Sequence, residues 1–246
     1  MNLTLDRIIA VRNTKTVYRD GDLCLKVFNE EFKKSDVLNE ALNQARIEET
    51  GLNVPKVLEV TAVNGKWTIV SQYIKGKTLL ELMEENPSKK EEYLNLFVDL
   101  QLKVQSKTCK GLNLLKDKWT KKIMSTDLPA TLRYKLYSIL ESTPNHDKVL
   151  NGDFNPSNII MAENQDPYIV DWSHATQGNA SADAALTYIL FCLNSTKETA
   201  EEYLDMFCKK SDTKKQYVEK WIPLAAAVQL TKCHSSEKEF LTSLVY

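Results

Sequence analysis

Glycine is scarce in this chain, and its scarcity excludes two common nucleotide-binding loops. Only 7 of the 246 residues are glycine, and no two of them lie close together. The dinucleotide fingerprint G-x-G-x-x-G and the P-loop G-x-x-x-x-G-K-[ST] both need closely spaced glycines whose backbone amides approach phosphate. Any nucleotide site in this protein therefore belongs to another class.

The sequence also lacks a disulfide framework and the usual metal-binding motifs. The 5 cysteines are scattered and odd in number, no C-x-x-C occurs, and the 3 histidines form no H-E-x-x-H. This pattern predicts reduced thiols, a cytoplasmic location and no zinc site. The N-terminal segment lacks the basic and apolar regions of a signal peptide, so we expect no export signal.

Neither sign of charge dominates, and long apolar runs are absent. The chain has 32 Lys+Arg and 33 Asp+Glu, for a net charge of −1. This balance argues against a broad electrostatic contact, so we expect neither nucleic acid nor membrane as a partner. The longest uncharged apolar stretches, around 184–195 and 221–231, have about a dozen residues, which is too few to span a bilayer.

Strand patterns and a single helix occupy the first 74 residues. Short β-branched runs flank turn signals at 20–22 and 64–65. A helix is predicted over 35–50, with Ser35 as its N-cap. The predicted order is therefore β-β-β-α-β-β. The apolar stripe of this helix is predicted to be Leu38, Ala41, Leu42 and Ala45.

Helical patterns dominate from residue 75 onward. Ser88 and Glu91 form a predicted capping box before one helix, and Pro223 predicts a kink in a late helix over 214–231. We therefore predict two domains, an N-terminal lobe of residues 1–74 and a helical C-terminal lobe of residues 75–246. Other helices are predicted at about 129–141, 183–194 and 198–209, and strands at 148–150, 159–161 and 168–170.

The segment Val149–Trp172 carries the most informative motif. Asp153 is followed five residues later by Asn158, and Asp171 comes thirteen residues after that. Amide and carboxylate oxygens suit Mg²⁺, which takes one or two protein ligands together with phosphate and water. Asp153 lies on the loop between two predicted strands, where it can meet a substrate hydroxyl. This D-x-x-x-x-N then D pattern is typical of phosphoryl transfer.

Two upstream residues fit the same chemistry. Lys26 lies mid-strand between apolar neighbours, and Glu40 lies on the helix face that holds Val37, Ala41 and Ile47. An inward lysine and an inward glutamate are costly alone but compatible as a pair. Such a lysine would hold the α- and β-phosphates. At the end of the last strand, the Gln72 carbonyl and the Ile74 amide could meet an adenine edge.

Taken together, these motifs resemble the aminoglycoside phosphotransferase/choline kinase branch of the protein-kinase-like fold. NGDFNPSN matches its H-G-D-x-x-x-x-N, IVDW matches I-D-W in place of D-F-G, and GNASAD fits a later G-x-x-x-x-D. Further matching stretches surround Lys26, continue from Glu40 onward and span residues 73–79, so the resemblance covers about residues 7–195. It implies an α+β bilobal fold, with an N-terminal five-stranded antiparallel sheet, one helix, and a mainly helical C-terminal lobe.

The resemblance also implies an activity and a set of site residues. The implied enzyme moves the γ-phosphoryl group of ATP to a hydroxyl of a small molecule, with Mg²⁺ as the metal. Asp153 is the implied catalytic residue, and Asn158 and Asp171 the metal ligands. The implied nucleotide-binding residues are Lys26, Glu40, Gln72 and Ile74, and the residues that support the catalytic loop are Asn151 and Asp183.

Three features depart from the family pattern. Asn151 stands where the family usually has histidine, although its side chain can still form hydrogen bonds. Asn155 replaces another common histidine near the acceptor. The loop over 11–16, which would cover the nucleotide, has no glycine, so phosphate contact there would depend on Asn13, Thr14 and backbone amides.

The acceptor and two alternative functions stay open at this level. Only eleven residues separate Asp171 from Asp183 and no A-P-E follows, which favours a small acceptor over a protein. Residues 172–246 carry eight lysines and nine acidic residues, so an acidic pocket for an aminoglycoside is not indicated, and sugars, amino alcohols and nucleosides fit equally well. The alternatives are a catalytically weak or inactive pseudokinase that binds nucleotide, and a compact atypical protein kinase.

Overall fold

The computed structural model describes residues 3–5, 7–12 and 14–246, so Asn13 of the predicted phosphate loop lies outside the described residues. Contacts divide the chain into two units. Unit one comprises the described residues up to Glu85 together with Pro156–His174, and unit two comprises Asn86–Asn155 together with Ala175–Tyr246. The predicted functional lobes, 1–74 and 75–246, stay a prediction.

The element order combines strands and helices as the α+β prediction requires. The strands are β1 (Arg7–Val11), β2 (Lys15–Asp20), β3 (Leu23–Phe28), β4 (Val57–Val63), β5 (Lys66–Gln72), β6 (Gly76–Thr78), β7 (Lys148–Leu150), β8 (Ile159–Ala162), β9 (Pro167–Ile169) and β10 (Thr176–Gly178). The helices are α1 (Lys34–Glu48), α2 (Leu79–Glu85), α3 (Lys90–Gln105), α4 (Leu115–Met124), α5 (Ala130–Ser142), α6 (Ala180–Asn194), α7 (Lys197–Ser211), α8 (Lys215–Glu219), α9 (Ile222–Gln229) and α10 (Lys238–Val245).

Unit one contains the predicted five-stranded antiparallel sheet, which is confirmed. Its strand order is β1-β2-β3-β5-β4, so β3 pairs with β2 on one side and with β5 on the other. Lys26 is therefore a central-strand residue, opposite Val17 on β2 and Ile69 on β5. Both flanking strands fix its backbone, which positions its side chain.

Helix α1 packs on this sheet with a face different from the predicted stripe. Its buried residues include Val37, Glu40, Ala41 and Ile47, whereas Leu38 and Leu42 are 44% and 46% exposed. The predicted stripe is therefore wrong at Leu38 and Leu42. The reason is that Val37 and Ala41 pack in one cluster with sheet residues, and this contact orients the helix. The predicted Ser35 cap is also wrong, because the helix begins at Lys34 with no side-chain cap.

The remainder of unit one is a small second sheet with the order β6-β8-β9. Gly76 of β6 passes so close to β8 that a Cβ atom there would lie 2.0 Å from the Met161 carbonyl oxygen. A side chain at this position would force the strands apart. Asn158 lies directly before β8, and Asp171 lies two residues after β9. Because these strands are antiparallel, both residues lie at the same end of the second sheet.

Unit two is mainly helical, with a short antiparallel pair of β7 and β10. Its aromatic core joins α3, α6 and α7, since Phe97 lies 4.7, 5.3 and 5.8 Å from the rings of Phe154, Phe191 and Tyr203. Phe154 belongs to the loop after β7. The core therefore anchors the loop that carries Asp153.

Two local predictions in unit two are wrong. The Ser88–Glu91 capping box does not form, because Pro87–Lys89 is a 3-10 turn and α3 begins after it with no side-chain cap. The predicted long helix over 214–231 is two helices, α8 and α9, with Pro223 in the first turn of α9. Proline is tolerated there because the first turn needs no amide donor.

Within the described ranges, no helix combines the length and the apolar character needed to cross a membrane.

Candidate active site

Lys26 and Glu40 form a buried ion pair in unit one. The Lys26 Nζ donates to Glu40 Oε1 at 2.5 Å, and the two side chains are 17% and 6% exposed. Strand β3 supplies the lysine and helix α1 the glutamate. The structure thus brings together two of the predicted nucleotide-binding residues, and the pairing offsets the cost of removing both charges from water.

Asp171 adds a second carboxylate to this pair. Its Oδ1 lies 3.7 Å from the Lys26 Nζ and accepts a hydrogen bond from the Ser173 hydroxyl at 2.9 Å. The backbone of Asp171 is left-handed, with φ at 59°. This conformation turns the chain sharply just after β9, and it is uncommon for a residue other than glycine.

Lys15 completes the group, and the sequence did not identify it. Its Nζ lies 3.2 Å from Asp171 Oδ2 and 3.5 Å from Glu40 Oε1. The pairing of β2 with β3 could have identified it. Lys15 lies opposite Phe28, and Val17 lies opposite Lys26. Side chains two residues apart share a strand face, so Lys15 and Lys26 point to the same side. We call Lys15, Lys26, Glu40 and Asp171 the charge cluster.

Mutual attraction in the charge cluster shifts two pKa values. Burial alone would lower the pKa of Lys26, but the carboxylates of Asp171 and Glu40 outweigh it and hold that pKa above its usual range. Burial alone would raise the pKa of Asp171, but the ammonium groups of Lys26 and Lys15 outweigh it and hold that pKa well below its usual range. The Lys26 ammonium and the Asp171 carboxylate therefore both stay charged at neutral pH.

Asn158 lies at the same end of the β8–β9 pair as Asp171. It ends the 3-10 turn Pro156–Asn158, and its carbonyl accepts the Val170 amide at 2.9 Å. The antiparallel register, with Ile159 opposite Ile169, places the residue before β8 near the residues after β9. One amide and one carboxylate thus flank this strand pair, which is the donor chemistry that Mg²⁺ accepts.

The described residues contain no group of three or more His, Cys, Asp or Glu side chains placed to hold a metal ion. A magnesium ion bound mainly by phosphate needs only one or two protein ligands, so Asn158 and Asp171 fit that case by their chemistry.

Gln72 is the last residue of β5, and Ile74 lies two residues beyond it, as predicted for a strand that leads out of the sheet. The Gln72 amide donates to the Lys56 carbonyl at 2.9 Å, and the Tyr73 amide donates to the Asp22 carbonyl at 2.8 Å. Gln72 is exposed and Ile74 is buried. The backbone of this segment is thus tied to two neighbouring loops.

In unit two, the loop after β7 is held by hydrogen bonds on both sides of Asp153. The Asp153 amide donates to Asn151 Oδ1 at 3.0 Å, and the Gly152 amide donates to Asp183 Oδ1 at 2.9 Å. Gly152 has φ at 76°, a conformation that side chains oppose. Asn155 donates to the Asp153 carbonyl at 2.9 Å. Both predicted supporting residues, Asn151 and Asp183, therefore contact this loop.

A buried polar network extends this support into the helical core. The Gln101 amide donates to Asp183 Oδ2 at 3.3 Å and to the Thr187 hydroxyl at 3.1 Å, and the Tyr203 hydroxyl donates to Gln101 at 2.6 Å. Thr187 in turn donates to the Phe154 carbonyl at 3.2 Å. Burial raises the pKa of Asp183, although the Gly152 amide and Gln101 act in the opposite direction. Sequence reasoning found Asp183 but none of its helical partners.

Asp153 itself forms an ion pair with Lys232. The Lys232 Nζ lies 3.2 Å from Asp153 Oδ1, and the two side chains are 30% and 26% exposed. The residues are 79 positions apart, and no local pattern marks Lys232 as a site residue. The sequence therefore could not have predicted this contact.

A five-stranded antiparallel sheet with one helix, together with a mainly helical unit, is the fold of kinase-like phosphotransferases. The model of the Phosphotransferase enzyme family matches residues 9–217, so the chain belongs to that family, and the resemblance drawn from its motifs is confirmed. A comparison with curated proteins found no match.

Solved structures with the same fold share little sequence with this chain. A choline/ethanolamine kinase family protein from Mesorhizobium loti has a TM-score of 0.62 at 16% identity, over 99% of this chain and 85% of that one. The choline kinase LicA from Streptococcus pneumoniae has a TM-score of 0.66 at 13% identity, over 99% and 93%. A thermostable variant of the aminoglycoside phosphotransferase APH(4)-Ia, in complex with AMP-PNP and hygromycin B, has 0.65 at 13%, over 97% and 89%.

These likenesses confirm the predicted α+β kinase-like fold. Together with family membership, they support the general function of a small-molecule phosphotransferase.

Proposed function

We propose that this protein is an ATP-dependent kinase that transfers the γ-phosphoryl group to a hydroxyl of a small molecule. The observation that carries the proposal is the Lys26 ammonium, which lies 2.5 Å from Glu40 and 3.7 Å from Asp171 in a member of a phosphotransferase family. A helix glutamate that holds a strand lysine, beside the aspartate that follows a strand pair, is the arrangement that phosphoryl transfer uses.

In this proposal, Lys26 binds the α- and β-phosphates of ATP and Glu40 fixes its position. Lys15, which belongs to the glycine-free loop over 11–16, supplies a second ammonium beside Asp171. The AMP-PNP bound by the APH(4)-Ia variant supports a nucleoside triphosphate as the donor. Gln72 and Ile74 would meet the adenine edge.

Asn158 and Asp171 would hold Mg²⁺. When bound, the ion offsets negative charge on the phosphates. The pKa of Asp171 lies well below its usual range because burial is outweighed by Lys26 and Lys15, so the carboxylate stays charged and ready for a cation.

Asp153 is the proposed catalytic residue. Its carboxylate orients the acceptor hydroxyl and takes its proton as the acceptor oxygen bonds to the γ-phosphorus and the bond to ADP breaks. Asn151 and Asp183 are positioning residues, since Asp183 accepts a hydrogen bond from the Gly152 amide and Asn151 accepts one from the Asp153 amide.

A small acceptor is supported by the short segment between Asp171 and Asp183, which leaves no length for a peptide-binding platform. The APH(4)-Ia variant binds hygromycin B, and LicA is named as a choline kinase. Hygromycin B and choline are both small molecules, and both proteins have a related fold.

The test is ADP production from Mg-ATP with a panel of small hydroxyl compounds, followed by localisation of labelled phosphate. We expect one compound class to raise ADP production and to carry the label, and Asp153→Asn to abolish both. Label on protein instead of the compound would indicate a protein kinase. Nucleotide binding without turnover of any compound would indicate a pseudokinase, and either result would reject the proposal.

A further inference from the structure

The Asp153 carboxylate accepts hydrogen bonds at both of its oxygen atoms. The Lys232 Nζ lies 3.2 Å from Oδ1, and the Asn155 side-chain amide donates to Oδ2 at 3.4 Å. The same amide also donates to the Asp153 carbonyl at 2.9 Å. The terminal torsion of an aspartate is broad when nothing restrains it, so donors at both oxygen atoms select one orientation of the carboxylate.

Lys232 extends from a fixed part of unit two. It lies three residues beyond α9, in which residues 224–229 are all buried. The Leu230 amide donates to the Ala226 carbonyl at 2.9 Å, and the Lys232 amide donates to the Gln229 carbonyl at 3.0 Å. Backbone hydrogen bonds thus continue from the buried helix into the segment that carries the lysine, and they fix the point from which its side chain starts.

Helices α6 and α9 pack against each other and hold the loop after β7 at two successive residues. Asp183 of α6 accepts a hydrogen bond from the Gly152 amide at 2.9 Å, whereas Lys232 contacts the side chain of Asp153. The first contact fixes the backbone of the loop, and the second fixes its carboxylate. The two contacts therefore have separate effects on the same loop.

Stability does not account for the contact between Lys232 and Asp153. The two side chains are 30% and 26% exposed. Ion pairs that water reaches contribute little to the free energy of unfolding, because water competes for both charges and the lysine loses rotamer freedom. The effect that remains is orientation. A general base must lie within hydrogen-bond distance of the proton that it takes, so the orientation of Asp153 matters to the reaction.

We propose that Lys232 is a positioning residue, which holds the Asp153 carboxylate in the orientation that receives the proton of the acceptor hydroxyl. This inference rests on the proposed function, because it assigns a further role in the same reaction. An ionised carboxylate has about four acceptor positions on its two oxygen atoms, so the ammonium and the acceptor hydroxyl can bind it together. The proton passes from the hydroxyl to Asp153, and Lys232 neither gives nor takes one.

The test compares two replacements of the lysine in the full chain. Lys232→Met removes the ammonium and keeps an unbranched side chain, whereas Lys232→Arg keeps a positive charge. Lys210→Met is the matched control, because Lys210 of α7 forms an ion pair of the same kind with Asp99 of α3, at 2.6 Å. Thermal melting shows whether each variant is folded. Crystal structures give the orientation of the Asp153 carboxylate, and steady-state kinetics with Mg-ATP and a phosphorylated compound of the panel gives kcat and KM.

We expect Lys232→Met to lower kcat by about tenfold to a hundredfold, since small displacements of reacting groups cost up to about that much, while the KM for ATP stays near the wild-type value. Lys232→Arg should keep most of the activity, and Lys210→Met all of it. The Asp153 carboxylate should turn in Lys232→Met and keep its orientation in Lys232→Arg.

Three results would overturn the positioning role. The first is an unchanged kcat, or a carboxylate that keeps its orientation, in folded Lys232→Met. The second is a higher kcat in Lys232→Met, because the lysine would then block Asp153 instead of holding it ready. The third is a rise in the KM for ATP with no change in kcat, which would assign Lys232 to nucleotide binding.

Failure of this inference and failure of the proposed function give different results. If Lys232→Met phosphorylates a small hydroxyl compound as fast as the wild type does, the positioning role is wrong and the phosphotransferase stands. If the wild type phosphorylates no compound, the proposed activity is wrong, and the crystal structure of Lys232→Met still decides whether Lys232 orients the carboxylate.

Discussion

The charge cluster of unit one balances two ammonium groups against two carboxylates at ion-pair distance. Its members come from β2, β3, α1 and the segment after β9. Because the opposite charges are equal in number, removal of one partner leaves a buried charge without full compensation. The cluster therefore ties the stability of the sheet to the side chains proposed to bind phosphate.

Lys26→Met should destabilise the protein by about 3–5 kcal/mol, because it leaves the buried Glu40 carboxylate with Lys15 at 3.5 Å as its remaining partner. The double variant Lys26→Met/Glu40→Leu should recover much of this loss. Urea unfolding of the wild type, both single variants and the double variant measures the coupling. Simply additive effects would contradict a buried ion pair.

Lys15→Gln should raise the KM for ATP about tenfold, since a charge-assisted contact to phosphate contributes on the order of 1.5–3 kcal/mol. The kcat should change less, because Lys26 and Asp171 remain in place. Steady-state kinetics with varied ATP measures both constants. Arg12→Gln is the control, because Arg12 belongs to the same glycine-free loop over 11–16 as Lys15 but is exposed. An unchanged KM would remove Lys15 from the nucleotide site.

At the scale of the elements, sequence patterns predicted most strands but misplaced contact faces. Helix α1 shows why, since the leucines at 38 and 42 fit an apolar stripe yet the sheet packs against Val37 and Ala41. Glu40 was placed on the correct face, because it shares that face with Val37, Ala41 and Ile47, which are buried as well. Helix α4 was not predicted, because the many lysines in its sequence obscure the helical spacing of the buried residues Leu115, Trp119 and Ile123.

The loop after β7 depends on a helix-borne carboxylate. Asp183→Ala should lower kcat by about a hundredfold, because misplaced catalytic groups cost that much, while the KM for ATP stays near the wild-type value. Hydrogen exchange at the Gly152 amide should become faster, since Asp183 accepts its hydrogen bond at 2.9 Å. Tyr203→Phe should have the same effects to a smaller degree. A rise in the KM for ATP with unchanged kcat would contradict this positioning role.

Two of the lysines of α4, Lys118 and Lys122, should make the protein less stable at neutral pH than at alkaline pH. Their folded-state pKa values, about 8, lie below the value of about 10.4 expected in the unfolded chain. The unfolded state therefore binds more protons between these values, and the free energy of unfolding rises with pH across that window. Lys232 and Asp153 are the other charged groups that act on them.

Replacement of both lysines in Lys118→Met/Lys122→Met should therefore stabilise the protein at pH 7, and the gain should shrink as the pH approaches about 10. Urea unfolding at a series of pH values measures this difference between variant and wild type. Lys121→Met should show no such trend. A gain that is constant with pH would mean that charge repulsion is not its cause.

At the scale of the whole molecule, the limit of sequence reasoning is the distance along the chain between site residues. Lys26 and Glu40 lie 14 positions apart and follow from local patterns, whereas Lys15 and Asp171 lie 156 apart and Lys232 and Asp153 lie 79 apart. The family motifs predicted Asp153, Asn158 and Asp171 because they share one segment. The contact of Lys232 with Asp153 depends on tertiary packing, which the sequence does not display.

Binding and chemistry can be separated on the intact protein by thermal melting with nucleotide. At a ligand concentration about 100 times the Kd, binding adds about 2.7 kcal/mol of stability, which for a chain of this size raises the Tm by about 5–10 °C. We expect Mg²⁺ to enlarge the shift given by ATP, because Asn158 and Asp171 would hold the metal. Asp171→Asn should lose that enlargement, and Asp153→Asn should keep the full shift while it abolishes turnover. A shift that depends on neither Mg²⁺ nor Asp171 would place the metal elsewhere, and the absence of any shift at millimolar ATP would contradict nucleotide binding itself.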